Sequence, residues 1–212
     1  YATLRASGRP PRTRVADLKS TSRGVTLTTG DGGTIRARHV VMSAGYASQQ
    51  WLPQRVAKNR SSYAFITDPM TPEALGFLAD TMVWESARPY LYVRGTGDGR
   101  LLVGGEDDAV DIPARRDARV QKKQRTLQDK LGKLFPGLDY VPAFAWGGTF
   151  AETADGLPFF GAHASHGPRL QFAMAYGGNG ITYSMIGAGL VRANIERRRH
   201  PLAKLFSFSR LG

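Results

Sequence analysis

The sequence predicts an α+β fold built from antiparallel strands, one long central helix and a glycine-led helix near the C-terminus. Three observations predict it. Short alternating runs separated by glycine-rich turns fill the first 45 residues. Apolar residues then recur at helical spacing between Pro113 and Phe135. Finally, Tyr176-Gly177-Gly178-Asn179-Gly180 feeds directly into a second helical stretch.

The elements follow in order. Residues 12–18 and 24–29 alternate as strands do, and Gly30-Asp31-Gly32-Gly33 is a strong turn signal. Residues 34–37 resume the strand pattern. Val40-Val41-Met42-Ser43-Ala44 is a continuous run closed by Gly45, the pattern expected of a strand covered on both faces. Residues 62–67, 81–85, 90–94 and 100–103 form the next strands, with Gly95-Thr96-Gly97-Asp98-Gly99 as a hairpin turn. A helix should span 113–135 with Val120, Leu127, Leu131 and Leu134 on one face, stopped by Pro136-Gly137. Strands near 143–150 and 170–175 precede a helix from about Gly180 to Arg199, which Pro201 cannot extend. This order suggests two regions. Residues 1–60 and 150–212 make up one, and an antiparallel sheet with the long helix, 61–149, makes up the other.

Composition narrows the functional classes. Hydrophobic residues are 42% and charged residues 22% of the 212, as in a globular protein rather than a disordered one. The longest apolar stretch, 177–195, is broken by Asn179, Thr182, Ser184 and Arg192, so no transmembrane segment is expected. Arg5, Arg9, Arg12 and Arg14 interrupt any cleavable signal core. The start at Tyr1, without methionine, suggests a fragment, a processed product or an incompletely observed chain. With no cysteine, disulfides and thiolate chemistry are excluded, and a cytoplasmic location is the expectation. Only His163 and His166 are close among four histidines, with no carboxylate nearby, so no metal is expected.

The net charge of +12 raises a second functional class, a basic nucleic-acid-binding module without catalysis. Residues 1–60 hold 11 basic and 2 acidic side chains, against 18 and 15 over 61–212. The surplus is dispersed over strands and turns. Arg197-Arg198-Arg199 is a tight run, at a helix end that favours cations. A nucleic-acid partner is therefore not expected.

Three segments carry the chemistry. Ser43-Ala44-Gly45 ends a strand in small residues, where a ligand can approach the backbone. Asp155-Gly156-Leu157-Pro158 is a turn within a glycine-containing stretch. Gly177-Gly178-Asn179-Gly180-Ile181-Thr182 leads into a helix N-terminus, whose free amides suit an anion or a carbonyl gaining negative charge. In this order and spacing, from about Thr13 to Arg199, the chain resembles the D-amino-acid oxidase-like family of FAD-dependent oxidoreductases, which includes glycine and sarcosine oxidases.

The resemblance implies the tail of an FAD-binding domain joined to an antiparallel-sheet substrate domain. It implies that Val15 contacts the adenine through its backbone and that Ser43-Ala44-Gly45 lies near the pyrophosphate. Asp155, Gly156 and Leu157 would lie beside the flavin, and Gly177 to Thr182 would embrace its pyrimidine edge. The implied reaction oxidises a C–N bond of an amine or amino acid by hydride transfer to flavin N5. Two departures stand out. No glycines occur at i, i+2 and i+5, so the family's pyrophosphate-binding fingerprint is absent from this sequence. FAD is accordingly expected in the complete protein, with weak or no binding, and no activity, in this chain alone. Where many amino-acid-oxidising members carry an arginine, Gly147-Gly148-Thr149-Phe150 stands. Another anchor is available for a small amine or amino-acid substrate. Arg88, Tyr90, Tyr92 and Arg94 alternate along one strand and would share a face suited to a carboxylate. Glu152 and Asp155 are acid–base candidates by type, but turn and capping roles fit them better, and no catalytic residue is assigned.

Overall fold

A computed structural model describes residues 13–211; Arg5, Arg9 and Arg12 lie outside the described residues. The chain is α+β and divides into two compact units, Tyr1–Ala57 with Glu152–Gly212, and Lys58–Ala151.

The first unit holds two three-stranded sheets. In one, β1 (Val15–Ser20), β2 (Val25–Thr29) and β3 (Thr34–Ala37) form an antiparallel meander. The turn predicted at 30–33 is closed by the Thr29 amide donating to the Gly33 carbonyl, 2.8 Å. In the other, the order is β10-β11-β4, from β4 (Val40–Met42), β10 (Phe159–Ala162) and β11 (Leu170–Met174). The central strand β11 is buried along its whole length. The expectation that residues 40–44 are covered on both faces is not met, because β4 is the edge strand and Val41 is 44% exposed. A continuous apolar run reports only the absence of polar residues, not the presence of covering layers.

Helix α4 (Gly180–Ile195) packs on β10 and β11. Phe160, Ala173 and Leu190 meet Phe206 of α5 (Ala203–Phe206) in the core. Gly187 is required here: a Cβ would lie 2.1 Å from the Phe160 ring. One polar contact crosses the packing, the Asn194 amide donating to Gln171 Oε1 at 3.1 Å. The helix ends four residues before the expected Arg199. Arg197 adopts φ 57°, the Arg198 amide donates to the Ala193 carbonyl and the Arg197 amide to Asn194, a Schellman-type stop. Arg198 pairs with Glu196, and the basic run is exposed.

The second unit is a five-stranded sheet of order β6-β7-β8-β5-β9, from β5 (Lys58–Thr67), β6 (Met82–Trp84), β7 (Leu91–Gly95), β8 (Leu101–Asp108) and β9 (Pro142–Glu152). A short helix, α1 (Pro72–Leu75), is capped by the Thr71 hydroxyl. Tyr63, Phe65, Leu91, Val93, Leu101 and Val103 pack with Leu127 and Leu131 in one core. The single helix expected over 113–135 is two: α2 (Pro113–Asp117) and α3 (Val120–Leu134). The apolar stripe begins only at Val120, and Arg116 and Arg119 are drawn away to Thr149 and Asp108. Leu134 was expected on the packed face but is 47% exposed. Phe135 leaves the helix with extended φ and takes the core position instead.

Candidate functional site

The strand register of the first unit gathers three of the sequence-predicted segments. β4 and β11 are parallel, with Val40 opposite Leu170 and Met42 opposite Phe172. Ser43-Ala44-Gly45 and the loop 175–180 therefore leave the sheet at the same end. β10 runs the other way, with Phe159 opposite Met174, so the turn 155–158 enters at that end too. Leu157 and Tyr176 pack against the same core cluster. Chain ends of parallel strands are where open sheets receive ligands.

Each segment is held differently. Residues 43–47 are exposed, and the Ala44 amide donates to the fully buried Ser48 hydroxyl, 3.2 Å, anchoring the bend at Gly45. In the second segment the Leu157 amide donates to Asp155 Oδ1, 3.1 Å, and the Thr153 hydroxyl lies 3.0 Å from the same oxygen. Arg210 clamps this turn from 55 residues away. Its guanidinium donates to Asp155 Oδ2 at 2.9 Å and to the Leu157 and Pro158 carbonyls, and lies 4.2 Å over the Phe159 ring. Burial pushes the Asp155 carboxyl up, but the Leu157 amide, Thr153 and Arg210 outweigh it and leave the pKa lowered. Asp155 is thus an ionised turn-former, not a proton donor. Arg210 was missed in the sequence because nothing local marks it; its partners are distant in the chain.

The third segment turns sharply, with backbone strain at Ala175. Ala175 and Gly177 both have positive φ, 62° and 59°. Asn179 precedes α4 without a side-chain cap, and the first helical bond runs from the Tyr183 amide to Asn179. The amides of Gly180, Ile181 and Thr182 therefore have no helical acceptor, and the helix dipole places about half a positive charge there. Ideal Cβ positions at Gly45, Gly156, Gly177 and Gly180 meet no atom within 4 Å, so open space lies beside all three segments. Ile181 is 88% exposed. The edge offers donors and room for a flat, electron-poor ring whose carbonyl gains charge on reduction.

Val15 sits elsewhere in this unit, opposite Thr29 in the meander. His163 and His166 are committed to local contacts, with Ser165 and with the Trp51 carbonyl. Among the described residues no cluster of three or more His, Asp or Glu could hold a metal, and no helix is long and apolar enough to cross a membrane.

In the second unit, Tyr92 and Arg94 stand on the sheet face opposite Leu91 and Val93. Tyr90 precedes β7 but its ring lies 6.3 Å from that of Tyr92 and 6.4 Å from Trp84. The Arg88 guanidinium lies 5.4 Å over the Tyr90 ring. Arg94 donates to its neighbour's carbonyl, Gly95, at 3.4 Å. The strand itself holds only Tyr92 and Arg94 of the four; Tyr90 and Arg88 precede it, with Arg88 folded over Tyr90 rather than extended along a strand.

The sequence matches the DAO family, FAD dependent oxidoreductase, over residues 11–193. The chain belongs to this family. DAO relatives include a glycine oxidase of Geobacillus kaustophilus (strain HTA426), 31% identical over 199 residues, 93% of this chain and 50% of that protein. The crystal structure of glycine oxidase from Geobacillus kaustophilus superposes with a TM-score of 0.73 at 25% identity, over 93% of this chain and 52% of that one. The fold is shared with L-proline dehydrogenase from P. horikoshii (TM-score 0.74, 16% identity, 94% and 54% covered) and iminodiacetate oxidase from Chelativorans sp. BNC1 (0.77, 16%, 97% and 55%). The chain spans about half the length of each of these proteins.

Proposed function

We propose that the complete protein oxidises a C–N bond of a small amine or amino acid, with this chain supplying the flavin-facing edge and part of the substrate-binding face. The observation that carries the reading is the meeting of Ser43–Gly45, Asp155–Leu157 and Gly177–Thr182 at one end of the β10-β11-β4 sheet. FAD, when bound, supplies hydride acceptance at N5. The residues present fit its ring end: amides at Gly180, Ile181 and Thr182 without a helical acceptor, and glycines beside open space. The α4 N-terminus would stabilise negative charge on the ring's pyrimidine carbonyl edge. Val15 would contact the adenine, and Arg88, Tyr90, Tyr92 and Arg94 would hold the substrate.

No pyrophosphate fingerprint occurs in the sequence, so we infer that this chain by itself binds FAD weakly and is inactive. The test compares this chain alone with the same chain joined to a family N-terminal cofactor segment. Flavin absorbance surviving gel filtration should appear only in the joined protein, and Ile181→Glu, which puts an anion at the helix N-terminus, should reduce it. A joined protein that stays colourless overturns the reading.

A further inference from the structure

The cationic surplus of residues 1–60, 11 basic side chains against 2 acidic, has no role in the amine chemistry. The meander β1-β2-β3 gathers part of it at one corner. Register partners on neighbouring strands share a face. Lys19, Thr26 and Arg36 therefore form one row across the three strands. Leu18, Leu27 and Ile35 form a row on the other face. Arg38 follows Arg36 beside Gly24, which must stay bare, because a Cβ there would fall 2.7 Å from the Ala37 carbonyl oxygen. A hollow of ≈ 380 Å³ opens at this corner, lined by Thr21, Arg23, Thr26, Arg36 and Arg38 around Gly24. Among the described residues no acid and no aromatic ring lines it, and Asp17 lies one row further along β1.

A further cation is fixed beside the hollow by neutral groups alone. Arg169 Nε donates to the Ser22 carbonyl at 2.9 Å, and its Nη1 lies 2.8 Å from His39 Nε2. A guanidinium only donates, so His39 is a neutral acceptor. Burial, and then the charges of Arg169, Arg38 and Arg197, lower the His39 pKa in the same sense. Glu196, the acid next to Arg197, is taken by Arg192 and Arg198. Like charges on adjacent strands repel one another, and an anion that bridges them relieves the repulsion while accepting charge-assisted hydrogen bonds. The corner is not the cofactor edge. It lies at the far end of the meander from Val15, which is opposite Thr29. His39 and Arg169 precede β4 and β11, at the end of that sheet away from Ser43–Gly45.

We propose that this corner is a second ligand site, for a compact anion carrying two or more phosphate groups. Arg23, Arg36 and Arg38 hold it with the Thr21 and Thr26 hydroxyls, and Arg169 stands by as a fixed charge. The volume suits a small molecule. With no ring on which a base could stack, the corner reads phosphate groups rather than a nucleic-acid strand. The site stands independently of the amine-oxidoreductase reading.

Calorimetric titration of the 212-residue chain with inorganic tripolyphosphate tests this. Arg36→Gln combined with Arg38→Gln should weaken binding about tenfold. Arg23→Gln should weaken it too and serves if the double variant does not fold. Lys122→Gln combined with Arg125→Gln removes two exposed charges from α3 of the second unit and should change nothing. Absence of binding overturns the proposal, as does equal weakening by the two double variants, which would leave only diffuse charge. A single-stranded oligonucleotide that binds more tightly than tripolyphosphate, and is lost in the same variant, would make an extended strand the ligand and overturn the compact one. In the joined protein, flavin retention should survive Arg36→Gln with Arg38→Gln; its loss would assign these arginines to the cofactor and remove the second site. A joined protein that stays colourless while tripolyphosphate still binds sinks the flavin reading alone.

Discussion

The two recognition surfaces proposed for cofactor and substrate, one in each unit, are built from different material. The edge of the first unit is backbone: free amides at the start of α4, positive φ at Ala175 and Gly177, and glycines facing open space. The face of the second is side chain: Trp84, Tyr90 and Tyr92 with Arg88 and Arg94. A backbone site depends on φ more than on side-chain identity, short of a charge placed beside its amides. A side-chain site is the reverse. A constant cofactor suits the first construction and a variable substrate the second.

The sharpest way to separate the units is to loosen one core at a time. Leu131 is fully buried between α3 and the five-stranded sheet. Leu131→Ala should cost about 2–5 kcal/mol, read in urea unfolding by Trp84 fluorescence. In the first unit Gly187→Val would drive a Cβ into Phe160, whose ring is already hemmed in by Tyr176 and Phe206 at 5.7 Å. About 1–3 kcal/mol should be lost, read by Trp51. If Gly187→Val were neutral, α4 would not be seated on β10 as described, and the cofactor edge would lose its support.

How far each surface was legible follows from the same contrast. Gly177-Gly178-Asn179-Gly180 and Asp155-Gly156 announce themselves because a chain that must bend leaves glycine in the sequence. The strand alternation also located Tyr90 and Tyr92. The β-bulge at Glu106 and Asp107 was not legible, because only the pairing of β5 with β8 reveals it. Arg210 was hidden for a related reason: its five acceptor contacts lie in 155–158 and at Leu205. β10 was also not foreseen as a strand, since Phe159-Phe160-Gly161-Ala162 is too short to show a period. The exposed Val41 and Leu134 show the converse, apolar residues whose pattern promised a neighbour that the fold places elsewhere.

The Asp155 turn gives a pH test of the backbone site. Its folded pKa is lowered, so the carboxylate contributes stability that is present above its unfolded value, about 3.9, and is lost as pH falls through the lower folded value. Asp155→Asn should therefore flatten the acid limb of stability below about pH 4 while changing little at pH 7 beyond the weakened Arg210 clamp. The effect ranks below the core substitutions because the Asp155 side chain is 48% exposed. An acid limb unchanged in the variant would mean that Arg210 holds the turn through the Leu157 and Pro158 carbonyls alone.

The smallest expected effect tests whether strain in the first unit is confined to the cofactor edge. Among the described residues two non-glycine residues there have positive φ, Ala175 beside the edge and Arg197 at the far end of α4. Arg197 occupies the left-handed stop of the helix, a position glycine fills without a Cβ penalty. Its side chain is exposed, and its backbone is all that the stop requires. Arg197→Gly should stabilise the protein by about 0.5–1 kcal/mol, offset slightly by losing a cation near the helix C-terminus. Thermal unfolding would register this as a rise of a few degrees with flavin retention in the joined protein unchanged. The matching Ala175→Gly relieves the same strain at the edge itself. If it also stabilises but lowers flavin retention, the bend at Ala175 is part of how the glycine loop is presented. If both substitutions behave alike, positive φ in this unit is only the cost of turning the chain.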